Sequence, residues 1–447
     1  MENLPSSLLV DILSRLDDSG HLARCRLVSR NFCAAAREVQ SVKFFCSLSR
    51  YLKSRSPETR DRITPFKAVL GDLFRGSRVP IESVSIGVEK SLAGISYDDV
   101  EDESDDLHLT DARFVEEWLP RVSGELRSLS ISDFWIQSCW RKSEILKLIS
   151  SCCHALLELE VKNAWLSVDG LNSMPMLSVL TLEFVRLDDE DLNKVNDCFP
   201  CLQVLNLIGV GGLKEPKICL PRLKTCQWTV SNAPFSLTIL APSLLKLELR
   251  CIRPRSLVIK APMLADCRIY IVEVNELQVN HFLHLESLQL DSGNICSLLH
   301  SFASATAINE VKLNSSRSNE TDDTLCLESA FEVFPNVSSL TLQSGAWSEM
   351  VTCFLSNGLK TRSPMKDLKV ITVQFVKQNL DASLQFISCI LNCCNSLLRI
   401  GLLIHSDADH GAFFSLVSKW ASKHPRVKWK CGTWKEGAED IWVSDCY

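Results

Sequence analysis

The sequence predicts an α/β fold in which a small three-helix module precedes a long, irregular solenoid whose repeats supply strands to one concave parallel β-sheet. Two observations predict it. A leucine-rich hexapeptide recurs along most of the chain, and the first forty residues carry apolar residues at helical spacing. The composition agrees: 46% hydrophobic and 23% charged residues, with 17 Gly and 16 Pro in 447 residues, exclude collagen-like and wholly disordered chains.

Charge and hydropathy exclude several classes of partner. The formal net charge is −6, so no global basic field attracts nucleic acid or an anionic membrane. Residues 1–5 lack the basic and apolar stretches of a signal peptide, and no run reaches the ~18 apolar residues that a membrane span needs. We therefore expect an intracellular protein, in the cytoplasm, the nucleus or both, without nucleic-acid or membrane partners.

Residues 2–41 have the spacing of three short helices. Pro5 suits the first turn of a helix that places Leu8, Ile12 and Leu16 on one face. Forty residues bury too small a fraction of their surface to be comfortably stable alone, so their apolar faces must dock elsewhere. Covered by a partner, each such side chain could contribute about 1.5–3 kcal/mol of apolar burial. The pattern predicts a partner-recruiting module.

The repeats are expected over residues 80–445, after a helical connector at 42–79. The template L-x-x-L-x-L, with other apolar residues allowed at the marked positions, first occurs as LRSLSI at 126. An isolated IESVSI at 81 is expected to open the series. The mean spacing is about 25 residues, which is typical of leucine-rich repeats. The template starts at residues 126, 156, 177, 202, 223, 244, 264, 285, 308, 337, 365 and 397.

Repeat length predicts what lies opposite the strands. Steps between 202 and 285 are only 20 or 21 residues, too short for a helix, so that side should be extended or irregular. Longer steps should carry helices, as after Ser143 and after Asp381. The acidic run 98–106 is predicted to be a solvated loop. Near the carboxyl end, the alternation VKWKC at 427–431 predicts a closing strand that caps the last repeat.

Alternate strand residues should line the concave face, where a protein target would bind. Val179, Val204 and Ile208 form a small apolar island there, which suits an anchor for a partner or small ligand and is equally explained by ordinary surface scatter. No carboxylate- or phosphate-binding cluster of Arg or Lys emerges at the positions considered, so assistance by a small ligand has no support. The candidate target-binding residues are Glu158, Glu160, Lys162, Val179, Val204, Ile208, Lys246, Glu248, Arg250, Arg268 and Tyr270.

Sequence motifs for catalysis or metal binding are incomplete. G-x-S-x-G and the phosphate loop are absent. The single C-x-x-C, Cys198 with Cys201, lacks the second pair that a structural zinc site needs. His281 with His284, and the HSDADH stretch at 405–410, offer no full ligand set and are interpreted as loops beside strands. The 20 cysteines are expected to be reduced thiols. No catalytic residue, metal or cofactor is predicted.

Two sets of residues carry a family resemblance. Leu4–Pro5, Ile12–Leu13, Leu16, Leu22 and the run Leu27–Val28–Ser29–Arg30 resemble an F-box, although Asn31 and Phe32 stand where a Trp often follows. The A-P-x-L repeat openings at 241 and 261 resemble those of plant F-box/LRR proteins. This resemblance implies a non-catalytic, substrate-recognition subunit of an SCF-type E3 ubiquitin ligase.

In that reading, the F-box would hold a Skp-family adaptor and through it a cullin-based ligase, while the repeats would hold an unknown target. The implied adaptor contacts are Leu4, Pro5, Leu8, Ile12, Leu16, Leu22, Val28 and Phe32. An interaction scaffold without a ubiquitin ligase role stays the alternative, and the Phe32 departure is the feature that favours it.

Overall fold

The computed structural model confirms the predicted fold class: amino-terminal helices are followed by a long series of parallel strands. It describes residues 4–16, 18–76, 80–90, 92, 105–138, 140–230, 233–316, 325–358, 367–375, 380–408 and 410–445. The chain divides into two compact units, residues 1–223 with 229–232, and residues 224–228 with 233–447.

The N-terminal module is three short helices, α1 (Ser6–Ser14), α2 (Ser19–Cys25) and α3 (Arg30–Arg37). Short polar side chains start the second and third: Asp18 accepts a hydrogen bond from the Gly20 amide, and Ser29 accepts one from the Phe32 amide. One face of each helix is apolar, and together these faces form a small core. The buried core residues are Leu9, Leu13, Leu22, Ala35, Ala36 and Val39.

The first strand of the first unit lies inside the predicted connector. β1 (Ser41–Cys46) pairs in parallel with β2 (Ser83–Val88), with Val42 opposite Val84. The prediction of an entirely helical connector over 42–79 is therefore wrong at its start, and IESVSI supplies the second strand. The segment VKFFC has the β-branched and aromatic residues of a strand but none of the template leucines. Helices α4 (Leu48–Arg55) and α5 (Phe66–Gly76) follow β1 within the connector.

The first unit continues with parallel strands in chain order after β2. Leu129, Leu159, Leu180 and Leu205 are register partners and all are buried, so the template leucines form the inner side of the sheet. The further strands are β3 (Ser128–Ser132), β4 (Lys142–Ser143), β5 (Glu158–Lys162), β6 (Trp165–Leu166), β7 (Val179–Glu183), β8 (Val204–Val210) and β9 (Lys217–Cys219), of which β4 and β6 form a separate two-stranded sheet. The helices are α6 (Ala112–Val122), α7 (Trp135–Ser138), α8 (Ile145–Cys152) and α9 (Asp189–Cys198).

The second unit repeats this plan. Its main strands are β10 (Thr225–Val230, most of which belongs to this unit), β12 (Lys246–Cys251), β14 (Asp266–Ile271), β16 (Ser287–Ser292), β17 (Glu310–Ser315), β18 (Ser339–Leu342), β19 (Val370–Phe375), β20 (Arg399–His405), β21 (Lys428–Trp434) and β22 (Ile441–Asp445). β22 pairs antiparallel with β21 and all other described pairs are parallel. The helices are α10 (Ile295–Ser301), α11 (Leu327–Val333), α12 (Ser344–Asn357), α13 (Leu380–Cys393) and α14 (His410–Lys423).

The length of each repeat determines whether a strand or a helix lies opposite the main sheet, as predicted. The short repeats of the second unit place β11 (Ser236–Leu240), β13 (Ser256–Lys260) and β15 (Glu276–Val279) there, and these pair in parallel as a second sheet. The longer repeats carry helices, including α8 after Ser143 and α13 at Asp381.

The template predicted at residue 365 is displaced by three residues. Leu368, Ile371 and Val373 are buried, and the last two lie opposite Leu340 and Leu342 of β18. The repeat is therefore LKVITV at 368, not MKDLKV at 365. The overlapping apolar residues of the segment fit the template in both registers, and only pairing with the neighbouring strand selects one.

The acidic run contributes a helix cap. Residues 98–104 lie outside the described residues, so the predicted loop at 98–106 is described only at its end. There the Asp106 carboxylate accepts hydrogen bonds from the Phe66 amide at 2.7 Å and the Lys67 amide at 3.0 Å, at the start of α5. A carboxylate placed 40 residues away thus satisfies two amide groups that the helix leaves unpaired.

We expect Asp106→Ala to lower the free energy of unfolding by about 1 kcal/mol, the usual cost of losing a cap. Urea unfolding followed by circular dichroism measures it. Asp72→Ala is the matched control, because Asp72 is an exposed carboxylate of the same helix that bonds only to exposed Arg75. Equal midpoints for the Asp106 variant and the wild type would contradict the capping role.

Candidate partner-binding surfaces

The first candidate surface lies on the outer side of the N-terminal module. Leu8 and Ile12 are one helical turn apart on α1 and remain 43% and 45% exposed. Leu9 and Leu13, beside them in sequence, are buried in the module core. Leu27 and Val28, in the turn between α2 and α3, are also largely exposed. The module therefore has its own core and keeps a second, solvent-exposed set of large apolar side chains.

The residues implied as adaptor contacts do not all lie on this surface. Pro5, Leu8, Ile12 and Val28 are exposed. Leu4, Leu16 and Phe32 are partly buried against the module core, and Leu22 is only 7% exposed within it. Leu22 thus belongs to the module core together with residues of α1 and α3, and its implied adaptor contact stays a prediction. Leu27, which was not among the implied contacts, is the most exposed apolar residue of the module.

The module is attached to the sheet through β1. The Lys43 amide donates to the Ser19 hydroxyl at 3.0 Å. A small crevice at this junction is lined by Leu13, Leu16, Ser19, Leu22, Val39 and Lys43, among others. The inner side of α1 is thus closed by the chain itself, while Leu8 and Ile12 point away from this junction.

The second candidate surface is the open face, which we define as the strand residues that alternate with the buried ones. In the first unit, Glu158, Val179 and Val204 are register partners, as are Lys162, Glu183 and Ile208. The apolar island is therefore divided: the two valines are neighbours, and Ile208 lies four residues further along β8.

The charges of this face in the first unit are paired with each other. Lys162 Nζ lies 3.0 Å from Glu160 and 2.8 Å from Glu183. Burial acts to lower the pKa of Lys162, but its hydrogen bonds to the two carboxylates outweigh burial, and the pKa is raised. Ser130 donates to Glu160 in addition. Lys162 therefore stays protonated and fixes both carboxylates in place.

Phe184, an exposed residue directly after β7, is one that sequence reasoning missed. It directly follows Glu183, is exposed, and has a φ of 52°, which is unusual for a side chain other than Gly. Its ring lies against Gly209, where an added Cβ would come within 2.5 Å of the ring. Only the backbone conformation identifies this residue, because a lone Phe after a strand is an ordinary sequence feature.

The open face of the second unit is also charged and internally paired. Lys246, Glu248 and Arg250 of β12 lie opposite Asp266, Arg268 and Tyr270 of β14. Arg268 bonds to Asp266 at 3.2 Å, and Arg250 bonds to Glu248 at 3.1 Å while its guanidinium lies 4.0 Å from the centre of the Tyr270 ring. Burial raises the pKa of Tyr270, and Arg250 opposes that shift. Such paired charges fix the shape and polarity that a partner meets.

The candidate metal ligands lie at the ends of helices and strands or in the segments between them. Among the side chains that the structure describes, no group of three or more His, Cys, Asp or Glu residues could hold a metal ion. Cys198 donates to the Leu171 carbonyl, and Cys201 accepts a hydrogen bond from Arg222. In the 405–410 stretch, the His410 ring bonds to the Ser406 carbonyl. No described helix combines the length and the hydropathy that crossing a bilayer requires.

Comparisons with known proteins agree with this division of the chain. The F-box-like family matches residues 1–42. An F-box/LRR-repeat protein of Arabidopsis thaliana is 47% identical over 450 residues, an alignment that covers 99% of this chain and 100% of the relative. The similarity therefore spans both the N-terminal module and the whole series of strands.

Proposed function

Because this chain belongs to the F-box/LRR-repeat family, we propose that it is the substrate-recognition subunit of an SCF-type E3 ubiquitin ligase. Residues 2–41 bind a Skp-family adaptor, and the open face of the strands binds a target protein. The proposed site of action is the cytoplasm, the nucleus or both.

One observation carries the adaptor half of this proposal: Leu8 and Ile12 stay exposed on a module whose core is already filled by other residues. An apolar pair kept in water is costly unless a partner covers it. A three-helix module that presents such a pair has the geometry of a docking element.

The proposed contribution of the chain is proximity and not chemistry. Holding a target beside the catalytic subunits of a ligase raises the effective concentration of the target lysines. The open faces carry no cluster that suggests bond making in the described residues, and their paired charges are suited to specific protein recognition.

The scaffold without a ligase role is supported by one feature, Phe32 in the place where a Trp often stands. Phe32 is partly buried against the module core, so part of its ring packs inside the chain. Under this alternative, the strands still bind a partner, but no adaptor is recruited.

Purified components separate the two functions. The full chain is mixed with a plant Skp-family adaptor and the amino-terminal half of a cullin, and the mixture is analysed by size-exclusion chromatography with light scattering. We expect a ternary complex whose mass equals one copy of each component. A folded chain that elutes without the adaptor would exclude the ligase role and leave the scaffold.

A further inference from the structure

Basic residues gather on the open face at the end of the second unit. Arg399 of β20 and Lys428 of β21 are register partners, and Lys430 lies two residues further along on the same face of β21. Trp442 of β22 lies against Lys430 and Gly401. We name Arg399, Lys428, Lys430 and Trp442 the basic corner. The target-binding residues predicted from the sequence end at Tyr270 of β14 and do not include this group.

The two central cations are not compensated by the fold. Parallel partners lie ~4.8 Å apart, so Arg399 and Lys428 project side by side, an arrangement that destabilises a sheet by itself. Both are exposed. Among the side chains that the structure describes, no carboxylate lies within 4.0 Å of either charged group. This differs from β5, β7, β12 and β14, where neighbouring carboxylates pair with the cations.

Two glycines leave room for Trp442 beside Lys430. An added Cβ at Gly401 would come within 2.8 Å of the indole, and one at Gly432 would come within 2.4 Å of the Ile441 carbonyl oxygen. The Lys430 ammonium lies 4.9 Å from the centre of the indole. Trp442 nevertheless keeps 37% of its surface exposed. A fixed, partly exposed indole beside a cation has the composition of a binding hot spot.

A carboxylate just before β22 has another role. Asp440 accepts a hydrogen bond from Gln374 Nε2 at 3.1 Å and so holds the turn before β22 onto β19. Lys430 lies opposite Asp445 in the antiparallel pair, and for this reason the experiment below changes Arg399 and Lys428 instead.

We propose that the basic corner binds anionic side chains of the target, either clustered carboxylates or a phosphorylated residue. Arg399 supplies the forked donor that suits carboxylate and phosphate oxygens, and Lys428 supplies a second positive charge beside it. The exposed indole covers an apolar residue next to the anion. That the bound protein is a ligase target rests on the proposed function. The preference for anions rests on the basic corner alone.

Peptide libraries test the proposal with the full chain. Three bead-bound dodecapeptide libraries share degenerate flanks and differ in a fixed core of three Glu, one phosphoserine or three Lys. We expect both anionic libraries, or one of them, to retain more of the chain than the lysine library. The anionic library that retains more of the chain shows whether the corner prefers carboxylates or a phosphorylated residue. Equal retention on all three libraries would overturn the proposal.

A matched pair of charge reversals locates the binding. Arg399→Glu with Lys428→Glu should lower retention on the preferred anionic library about tenfold or more. Lys419→Glu with Lys423→Glu, on exposed positions of α14, makes the same change in net charge and should leave retention unchanged. Equal losses in both variants would assign the binding to overall charge and overturn the proposal.

The outcome is independent of adaptor binding. Both double variants should still co-elute with the adaptor, because the N-terminal module belongs to the other unit. Loss of peptide retention with adaptor binding intact therefore concerns the basic corner, whereas loss of adaptor binding by the wild-type chain concerns the proposed function.

Discussion

Replacing Leu8 and Ile12 together by Asp abolishes binding of a purified Skp-family adaptor while the chain stays folded. The wild-type side chains are 43% and 45% exposed, so the free chain accepts Asp at both positions. In the complex, the variant would bury two carboxylates without partners, which costs several kcal/mol. A cost of less than about 3 kcal/mol already lowers the affinity about a hundredfold, so we expect a loss larger than that. Surface plasmon resonance with immobilised adaptor measures it.

The control for this result is a double variant of the same chemistry elsewhere. Leu52 of α4 and Leu355 of α12 are 57% and 56% exposed, and Leu52→Asp with Leu355→Asp should bind the adaptor as the wild type does. Equal melting temperatures of the two double variants exclude a folding defect. Retained binding by the Leu8 and Ile12 variant would contradict the docking role of α1.

The sequence predicted the strand positions well because the leucine positions within each repeat define the register of its strand. In L-x-x-L-x-L, the leucines must face the core, and Leu159 and Leu180 do so in adjacent strands. The exceptions are segments in which the local pattern fits more than one arrangement. VKFFC at β1 lacks the template leucines, and the segment around Leu368 fits two registers. Long-range pairing decides both, and no local pattern contains it.

The candidate sites were less predictable because tertiary packing decides which side chains stay exposed. Leu8 and Leu22 have the same side chain in the same module, yet one is exposed and the other packs in the core. The basic corner requires Gly401, Gly432 and Trp442 to meet across three strands. A residue pair such as Arg399 and Lys428, 29 positions apart, becomes adjacent only once the register is known.

Asp133 is a further residue whose role only the structure identifies. Its side chain is completely buried at the end of β3, where a lone carboxylate would be very costly. It accepts hydrogen bonds from the amides of Leu109 at 2.9 Å, Thr110 at 3.1 Å and Phe134 at 2.9 Å. The Thr110 hydroxyl also donates to it, and the His108 ring nitrogen lies 3.2 Å away. One carboxylate therefore holds the whole segment that leads into α6.

Asp133→Ala should destabilise the first unit more than any of the other substitutions, by at least about 3 kcal/mol, because several buried donors lose their acceptor together. Hydrogen exchange provides the decisive measurement: the amides of Leu109 and Thr110 should lose protection, whereas the amides of β20 in the other unit should keep theirs. Asp133→Asn retains one acceptor oxygen and should show a smaller loss. Unchanged protection at Leu109 and Thr110 in the alanine variant would mean that packing, and not this carboxylate, holds the segment.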